Sequence, residues 1–293
     1  MEKLLQWAVN NSNQEELTKN AEAIRRGEYK PDPSKFNPEV IDAILGKDDA
    51  TLMKEAVQCI ADPNDTIQNK EIALDNLEML IEGIDNAKNI NSLGLWPTLI
   101  QALGDKEQAV RTGAAWVCGT AVQNNPDAQN FLEHKGLPPL TKLLKSENPQ
   151  ERAKAQYAIS GLLKHCSAAV EQFKSEGGFQ VMTNILRDQA DDSQTVRKVV
   201  FLFNTLMVEN SSLATEFKND GLVDDLDNII EKYTVETQDE DIVEKALRAL
   251  HTLVESTQTE LSLDMKAHVQ KAQSTFGAEE LNLSSEEWDL LLK

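Results

Sequence analysis

The sequence predicts an all-α fold of stacked helical repeats, and three observations carry that prediction. Gly94-Leu95, Gly136-Leu137, Gly178-Phe179 and Gly221-Leu222 each open an apolar helical phrase, with successive glycines 42, 42 and 43 residues apart. A fixed step of that size is the signature of a helical repeat. A second marker keeps nearly the same beat: Lys70, Arg111, Arg152 and Arg197 each stand five residues before a core-type helical position, taken in turn by Asp75, Trp116, Tyr157 and Leu202. Aromatic residues at 5% and only 13 glycines suit helices better than sheets, since strand-rich chains want β-branched and aromatic residues and many turns.

A unit of two or three helices cannot bury its apolar face alone, so it stacks on its neighbours to make one continuous core. The expected architecture is an armadillo-like, right-handed α-superhelix of about four repeats plus capping helices, with a concave inner face suited to binding. Glycine ahead of each phrase fits a sharp helix-to-helix corner, because it ends one helix at low steric cost. The 293 residues then form one elongated body rather than several globular domains.

Taken in order, residues 1–35 read as a weakly attached arm. Leu4, Leu5 and Trp7 make a short amphipathic turn, and a helix starting near Asn13 runs through Ala21 and Ile24 until Gly27-Glu-Tyr-Lys-Pro-Asp-Pro33 breaks it. Residues 36–257 hold the repeats. Pro38 to Leu45 is a short helix with proline in its first turn, and Ala50 to Ala61 is the next, with Leu52, Ala56 and Ile60 on one face. Pro63-Asn-Asp65 is a turn, and Thr66 can cap the helix that follows. There Ile72, Leu74, Leu77, Leu80, Ile81 and Ile84 spread apolar character over a wide arc, as for an element with neighbours on both sides. Ser146 to Pro149 and Ala190 to Ser193 are polar hinges in the second and third units. Thr234 to Asp241 plays that part in the fourth, where the basic marker is lost. Residues 258–293 offer a helix over Leu263 to Gln273 and a capped segment, Ser284 to Leu292, expected to dock as a final cap with an acidic tail.

Forty-nine acidic against 29 basic residues give a net charge of −20, which repels phosphate backbones and anionic membrane surfaces. Cys59, Cys118 and Cys166 are scattered and odd in number, so they read as small buried hydrophobes rather than a disulfide framework. The N-terminus is too polar for a signal peptide and no run of eighteen apolar residues occurs, so the cytoplasm is the expected location. No phosphate-binding loop, dinucleotide fingerprint, nucleophile elbow or H-E-x-x-H motif is present. His134, His165, His251 and His268 lie far apart, and His165-Cys166 point about 100° away from each other on a helix, so no metal, cofactor or catalytic residue is expected. These readings favour a binding scaffold over an enzyme.

The stretches Thr51-Leu-Met-Lys-Glu-Ala56, Asp75-Asn-Leu-Glu-Met-Leu-Ile-Glu-Gly-Ile-Asp-Asn-Ala-Lys-Asn-Ile90, Leu95-Trp96 and Trp116-Val-Cys-Gly-Thr-Ala-Val-Gln-Asn-Asn-Pro-Asp-Ala-Gln129 carry a resemblance. The chain resembles the Fes/HspBP group of armadillo-type nucleotide exchange factors for the 70-kDa heat-shock chaperones, above all its fungal cytosolic branch. The likeness is detailed over residues 50–130 and looser to about 255. It implies a non-catalytic monomeric adaptor whose concave face clasps one lobe of the chaperone's ATPase domain and speeds ADP release. It also implies that residues 1–35, with Leu4, Leu5 and Trp7, help dislodge bound substrate. A generic armadillo adaptor in ubiquitin ligation or transport is the alternative.

On this reading Arg111, Arg152 and Arg197 offer guanidinium forks to partner carboxylates, with contact to a neighbouring repeat as their alternative use. Trp116 belongs in the groove, Tyr157 is divided between groove and core, and Asp75 occupies the matching place in the first unit. Thr120 stands where nuclear import receptors carry asparagine, which breaks the peptide-clamping ladder of that class. Asn86 and Ala87 form a corner where a small residue would let a partner approach.

Overall fold

The computed structural model describes residues 13–28, 46–123, 125, 128–164 and 166–293. Leu4, Leu5, Trp7, the helix expected over 38–45 and His165 lie outside the described residues. The chain divides into two units, residues 1–52 and 53–293. In the first, α1 (Gln14–Arg25) ends where Gly27 turns to a φ of 73°. Asp48 opens α2 (Asp49–Ala61), its carboxylate accepting from the Thr51 amide at 2.8 Å.

The second unit is a stack of helices, with no strand among the described residues. After α2 comes α3 (Ile67–Ile81), and four three-part repeats follow. The first holds α4 (Ile84–Ser92), α5 (Trp96–Ala102) and α6 (Gln108–Val122). The second opens on a 3-10 turn (Ala128–Leu132) and continues as α7 (Leu137–Leu143) and α8 (Pro149–Leu163). The third is α9 (Ser167–Ser175), α10 (Gly178–Asp188) and α11 (Ser193–Glu209), and the fourth α12 (Ser212–Asn219), α13 (Leu222–Val235) and α14 (Glu240–Thr257). α15 (Leu263–Phe276) and α16 (Ser285–Leu292) close the chain.

The third helices set the register of the stack. Thr66, Asn148, Asp192 and Asp239 each accept an amide in the first turn of α3, α8, α11 and α14, and Glu107 takes the same place before α6 without a side-chain cap. Nine residues beyond these starts stand Asp75, Trp116, Tyr157, Phe201 and Arg248. The column therefore passes through Phe201, which is 43% exposed, and not through Leu202, which is fully buried. The basic marker misreads this unit because Arg197 lies one position farther from its cap than Arg111 and Arg152 do.

One apolar core runs along the stack. Trp96 meets Phe131 at 5.0 Å between ring centroids, and Phe217 meets Phe179 and Phe203 edge-on at 4.9 Å each. Each such fully buried side chain contributes about 1.5–3 kcal/mol. The wide apolar arc expected of α3 is narrower: Leu74, Leu77 and Ile81 are buried, but Ile72 is 57% exposed, and Gly83 separates Ile84 into the start of α4.

The periodic glycines do two different jobs. Gly94 and Gly221 are left-handed, with φ of 69° and 90°, but in the second and third repeats that conformation falls one residue before the expected glycine, on Lys135 (59°) and Gly177 (71°). Gly136 and Gly178 are small for another reason. A Cβ at Gly136 would lie 2.0 Å from the Phe131 ring, and one at Gly178 2.3 Å from the Phe173 ring.

Arginine staples join successive third helices. Arg111 donates to Glu151 at 2.7 Å and to the carbonyls of Asp105 and Lys106 at 2.9 Å. Arg152 donates to Asp192 at 2.9 and 2.7 Å and to the Ser146 carbonyl at 2.8 Å. Arg197 reaches Asp239 at 2.8 Å and also pairs with Asp241. A parallel staple joins the second helices, Arg187 to Asp225 at 2.6 Å. At the C-terminal end α15 and α16 pack down through Val269, Ala272, Trp288 and Leu291. Arg248 donates to the Asn282 carbonyl, and His268 Nδ1 lies 3.0 Å from Asp227.

The staples differ in burial, and so in weight. The side chains of Arg152 and Asp192 are 6% and 7% exposed, whereas those of Arg197 and Asp239 are 34% and 26% exposed. Arg152→Met strands a buried carboxylate and is expected to cost about 3–5 kcal/mol, against under about 1 kcal/mol for Arg197→Met. Urea melts followed by circular dichroism compare the two. The glycine assignment predicts that Gly136→Ala destabilises by about 1–3 kcal/mol through overpacking. Lys135→Gly should stabilise by about 0.5–1 kcal/mol by relieving a left-handed residue, and the same melts read both.

Candidate functional site: a groove along the third helices

The inner surface of the stack is made by α3, α6, α8 and α11, whose side chains line one continuous recess. Glu71 and Asp75 come from α3, Thr112 and Trp116 from α6, Lys154 from α8 and Gln194 from α11. The recess forms here because Gly113, Ala109 and Ala153 keep its floor low between the larger side chains. A Cβ at Gly113 would stand 2.8 Å from Leu74, so α3 and α6 approach closely beneath the groove.

Trp116 is half-buried, and the Lys154 ammonium sits 3.3 Å above its ring centroid. A cation held over indole in that way is worth about 0.5–2 kcal/mol and fixes the tryptophan's orientation. Burial pushes Lys154 below the ordinary lysine range, opposed by Glu78 and reinforced by the nearby Lys198. Lys198 is likewise depressed by burial. Tyr157 is also half-buried, because its ring occupies the space that a Cβ on Gly119 would need, 2.4 Å from Cδ1, and so it helps to join α6 to α8. Phe201 lies beneath Lys164, whose Nζ is 4.9 Å from the ring centroid.

Of the residues singled out from sequence, Asp75 and Trp116 line the recess together. Thr120 donates to Glu78 at 2.7 Å, so the hydroxyl that replaces asparagine is used to tie α6 to α3. The guanidinium groups of Arg111, Arg152 and Arg197 are engaged by carboxylates of the next repeat, the alternative use the sequence offered for them. Ala87 is 3% exposed and packs into the core. Asn86 is half-buried and donates to the Leu80 carbonyl at 2.9 Å, which makes it a fastening of the α3–α4 corner. The residues missed were Lys154, Lys198 and Phe201. Counting from the helix caps rather than from the basic marker would have found Phe201, and the two lysines share one position six residues past Asn148 and Asp192.

Among the described residues no group of His, Cys, Asp and Glu side chains could hold a metal ion, and no helix is long and apolar enough to cross a membrane. The cysteines are free; Cys118 is buried, while Cys59 and Cys166 are half-buried. Burial and an Asp65 carboxylate 3.1 Å from Sγ push the Cys59 thiol up to about 11, far from a reactive thiolate.

Solved structures with this arrangement are armadillo proteins. A designed armadillo repeat protein superposes with a TM-score of 0.64 at 18% identity, covering 82% of this chain and 98% of its own. Another, in complex with the peptide (KR)4, gives 0.60 at 18% identity, covering 82% and 96%. At that identity the likeness concerns the fold, and the fold is an armadillo-like α-superhelix.

Sequence relatives go further. Residues 1–90 match the family described as nucleotide exchange factor Fes1, and residues 86–235 match the SIL1/FES1/HPBP1 C-terminal domain. Proteins named Hsp70 nucleotide exchange factor FES1 are 38% identical in Kluyveromyces lactis, over 71% of this chain and 71% of that one, and 36% identical in Schizosaccharomyces pombe, over 75% and 78%. The Mycosarcoma maydis protein of the same name is 38% identical over 71% of this chain, which spans 55% of that longer relative. With two adjoining family matches and relatives aligned along most of its length, the chain belongs to the Fes1 family of nucleotide exchange factors.

Proposed function

We propose that the protein is a co-chaperone that binds the ATPase domain of a cytosolic 70-kDa heat-shock chaperone in the groove, favours its open nucleotide cleft and accelerates ADP release. Substrate release, and with it folding or quality control, follows from the faster nucleotide cycle. The protein works as a cytoplasmic monomer without a cofactor or covalent chemistry of its own. Residues 36–257 are the gripping body, residues 258–293 its cap, and residues 1–35 the arm that helps displace substrate. Neither nucleic acid nor membrane is a partner.

The observation that carries this reading is the column Asp75, Trp116, Tyr157 and Phe201 on the inner helices, partly exposed and aligned from one repeat to the next. Aromatic side chains on rigid elements make strong anchors for a protein partner. The names of the relatives, Hsp70 nucleotide exchange factors over most of the chain, supply the partner's class. Energetically, the groove need only bind the open chaperone better than the closed one. Every ~1.4 kcal/mol of that difference is tenfold in nucleotide affinity, while equal binding of both states would achieve nothing. A body stiffened by inter-repeat staples suits the task, because a rigid surface discriminates between two shapes of its partner.

Stopped-flow release of labelled ADP from a 70-kDa chaperone ATPase domain tests the proposal. Added protein should accelerate release, and Trp116→Ala should lower the acceleration at least about tenfold at subsaturating protein, the weight of one hot-spot residue, with helix content unchanged. Undiminished acceleration by the variant contradicts the site. Deleting residues 1–35 should spare nucleotide release and slow the release of a bound peptide, and equal loss of both would contradict the division of labour.

A further inference from the structure

Two lysines of the inner helices, Lys154 in the groove lining and Lys198 near it, stand without a contact ion pair among the described residues. Six residues beyond the caps Asn148, Asp192 and Asp239 stand Lys154, Lys198 and Lys245, which places one lysine at the same level of three successive inner helices. Lys245 is paired with Asp241. Among the described residues, neither Lys154 nor Lys198 forms a salt bridge, although carboxylates outnumber basic groups 49 to 29 in the chain. Both are half-buried, and both ammonium groups are held below their ordinary range by lost hydration, each with a second cation nearby. Carboxylates nearby, Glu78 and Asp75 for Lys154 and Asp192 for Lys198, offset that loss only in part and without a contact ion pair, whereas ammonium groups deprived of water are normally paired in contact.

That arrangement has a polarity along the groove. Glu71 and Asp75 put negative charge on the α3 end, and Lys154 and Lys198 put positive charge on α8 and α11, with Trp116 between the two signs. A partner surface laid in the groove meets the cations only if its own carboxylates face α8 and α11. Reversed, it would set those carboxylates against Glu71 and Asp75.

We infer that Lys154 and Lys198 form a two-point anchor for a carboxylate cluster on the protein that occupies the groove, and that this anchor sets the direction in which the partner lies. The inference rests on the groove being the partner-binding surface. Its partner is a folded protein face bearing two or more neighbouring Asp or Glu side chains. Lys164, which lies over Phe201, carries the positive strip to the far end of α8.

The test is the association rate of the full chain with a 70-kDa chaperone ATPase domain across a salt series. The unmodified protein should bind more slowly as salt rises, since pairing of opposite charges steers encounter. The Lys154→Met/Lys198→Met double variant should associate about tenfold more slowly at low salt and show a flattened salt dependence. Lys198→Gln alone, which leaves the Trp116 contact in place, should flatten it part of the way, and Lys154→Arg/Lys198→Arg should restore it. Trp116→Ala should keep the salt dependence and shorten the lifetime of the complex. If Trp116→Ala weakens binding while the salt dependence of both lysine variants matches that of the unmodified protein, the anchor is overturned and the groove stands. If neither class of variant alters association or lifetime, the groove itself is not the docking surface.

Discussion

The structure depends on a carboxylate placed at the start of the inner helices α8, α11 and α14. At Asp192 and Asp239 one acidic side chain performs two tasks, capping its own helix and receiving an arginine from the helix before it. Glu151 does the second of these in the second repeat, where Asn148 does the first. The arginine also satisfies carbonyls of the loop that precedes its own helix, as Arg152 does for Ser146. Cap, loop and neighbouring repeat are thus fixed by one network, and the angle between successive repeats is fixed with them. Such a network is worth more than separate pairs because each member is already held when the next is formed.

This use of arginine decides what remains for binding. With the guanidinium groups engaged along the helix starts, the open part of the inner surface is left chiefly to Trp116, Tyr157 and Phe201 and to Lys154 and Lys198, which no carboxylate among the described residues pairs in direct contact. The groove's floor is small-residue backbone, through Gly113 and Ala153, so bulky side chains stand up from a shallow bed. A shape of this kind reads the relief and charge of a folded surface. The tyrosine's ring fills the gap at Gly119, and the residue is only partly buried.

Much of this was legible in the sequence because repetition is legible. The repeat period, the helix caps at Thr66 and Ser284, the placing of Asp75 and Trp116, and the armadillo architecture all follow from spacing and side-chain chemistry. What was not legible were properties decided between repeats. A lone arginine at a helix start looks the same whether it faces solvent or the next unit's aspartate. Ala87 looks like a point of close approach, but its corner packs against the core and buries it. The glycines at 136 and 178 keep the period and suggest turns, yet they are small because Phe131 and Phe173 press against them, a contact that involves the opposite side of the same corner. Phe201 was hidden by a one-residue shift between cap and marker, which rotates a helix by about 100° and exchanges an exposed position for a buried one.

The central claim is that the partner lies on the inner helices and leaves the outer ones free. Hydroxyl-radical footprinting of the full chain, alone and saturated with a 70-kDa chaperone ATPase domain, tests it most directly, because the reactive side chains are distributed over both faces. The account predicts protection of Trp116, Tyr157 and Phe201, with the exposed Leu263 labelled equally in both samples. Protection confined to the outer helices α10 and α13, with Trp116 and Phe201 as reactive as in the free protein, would contradict it.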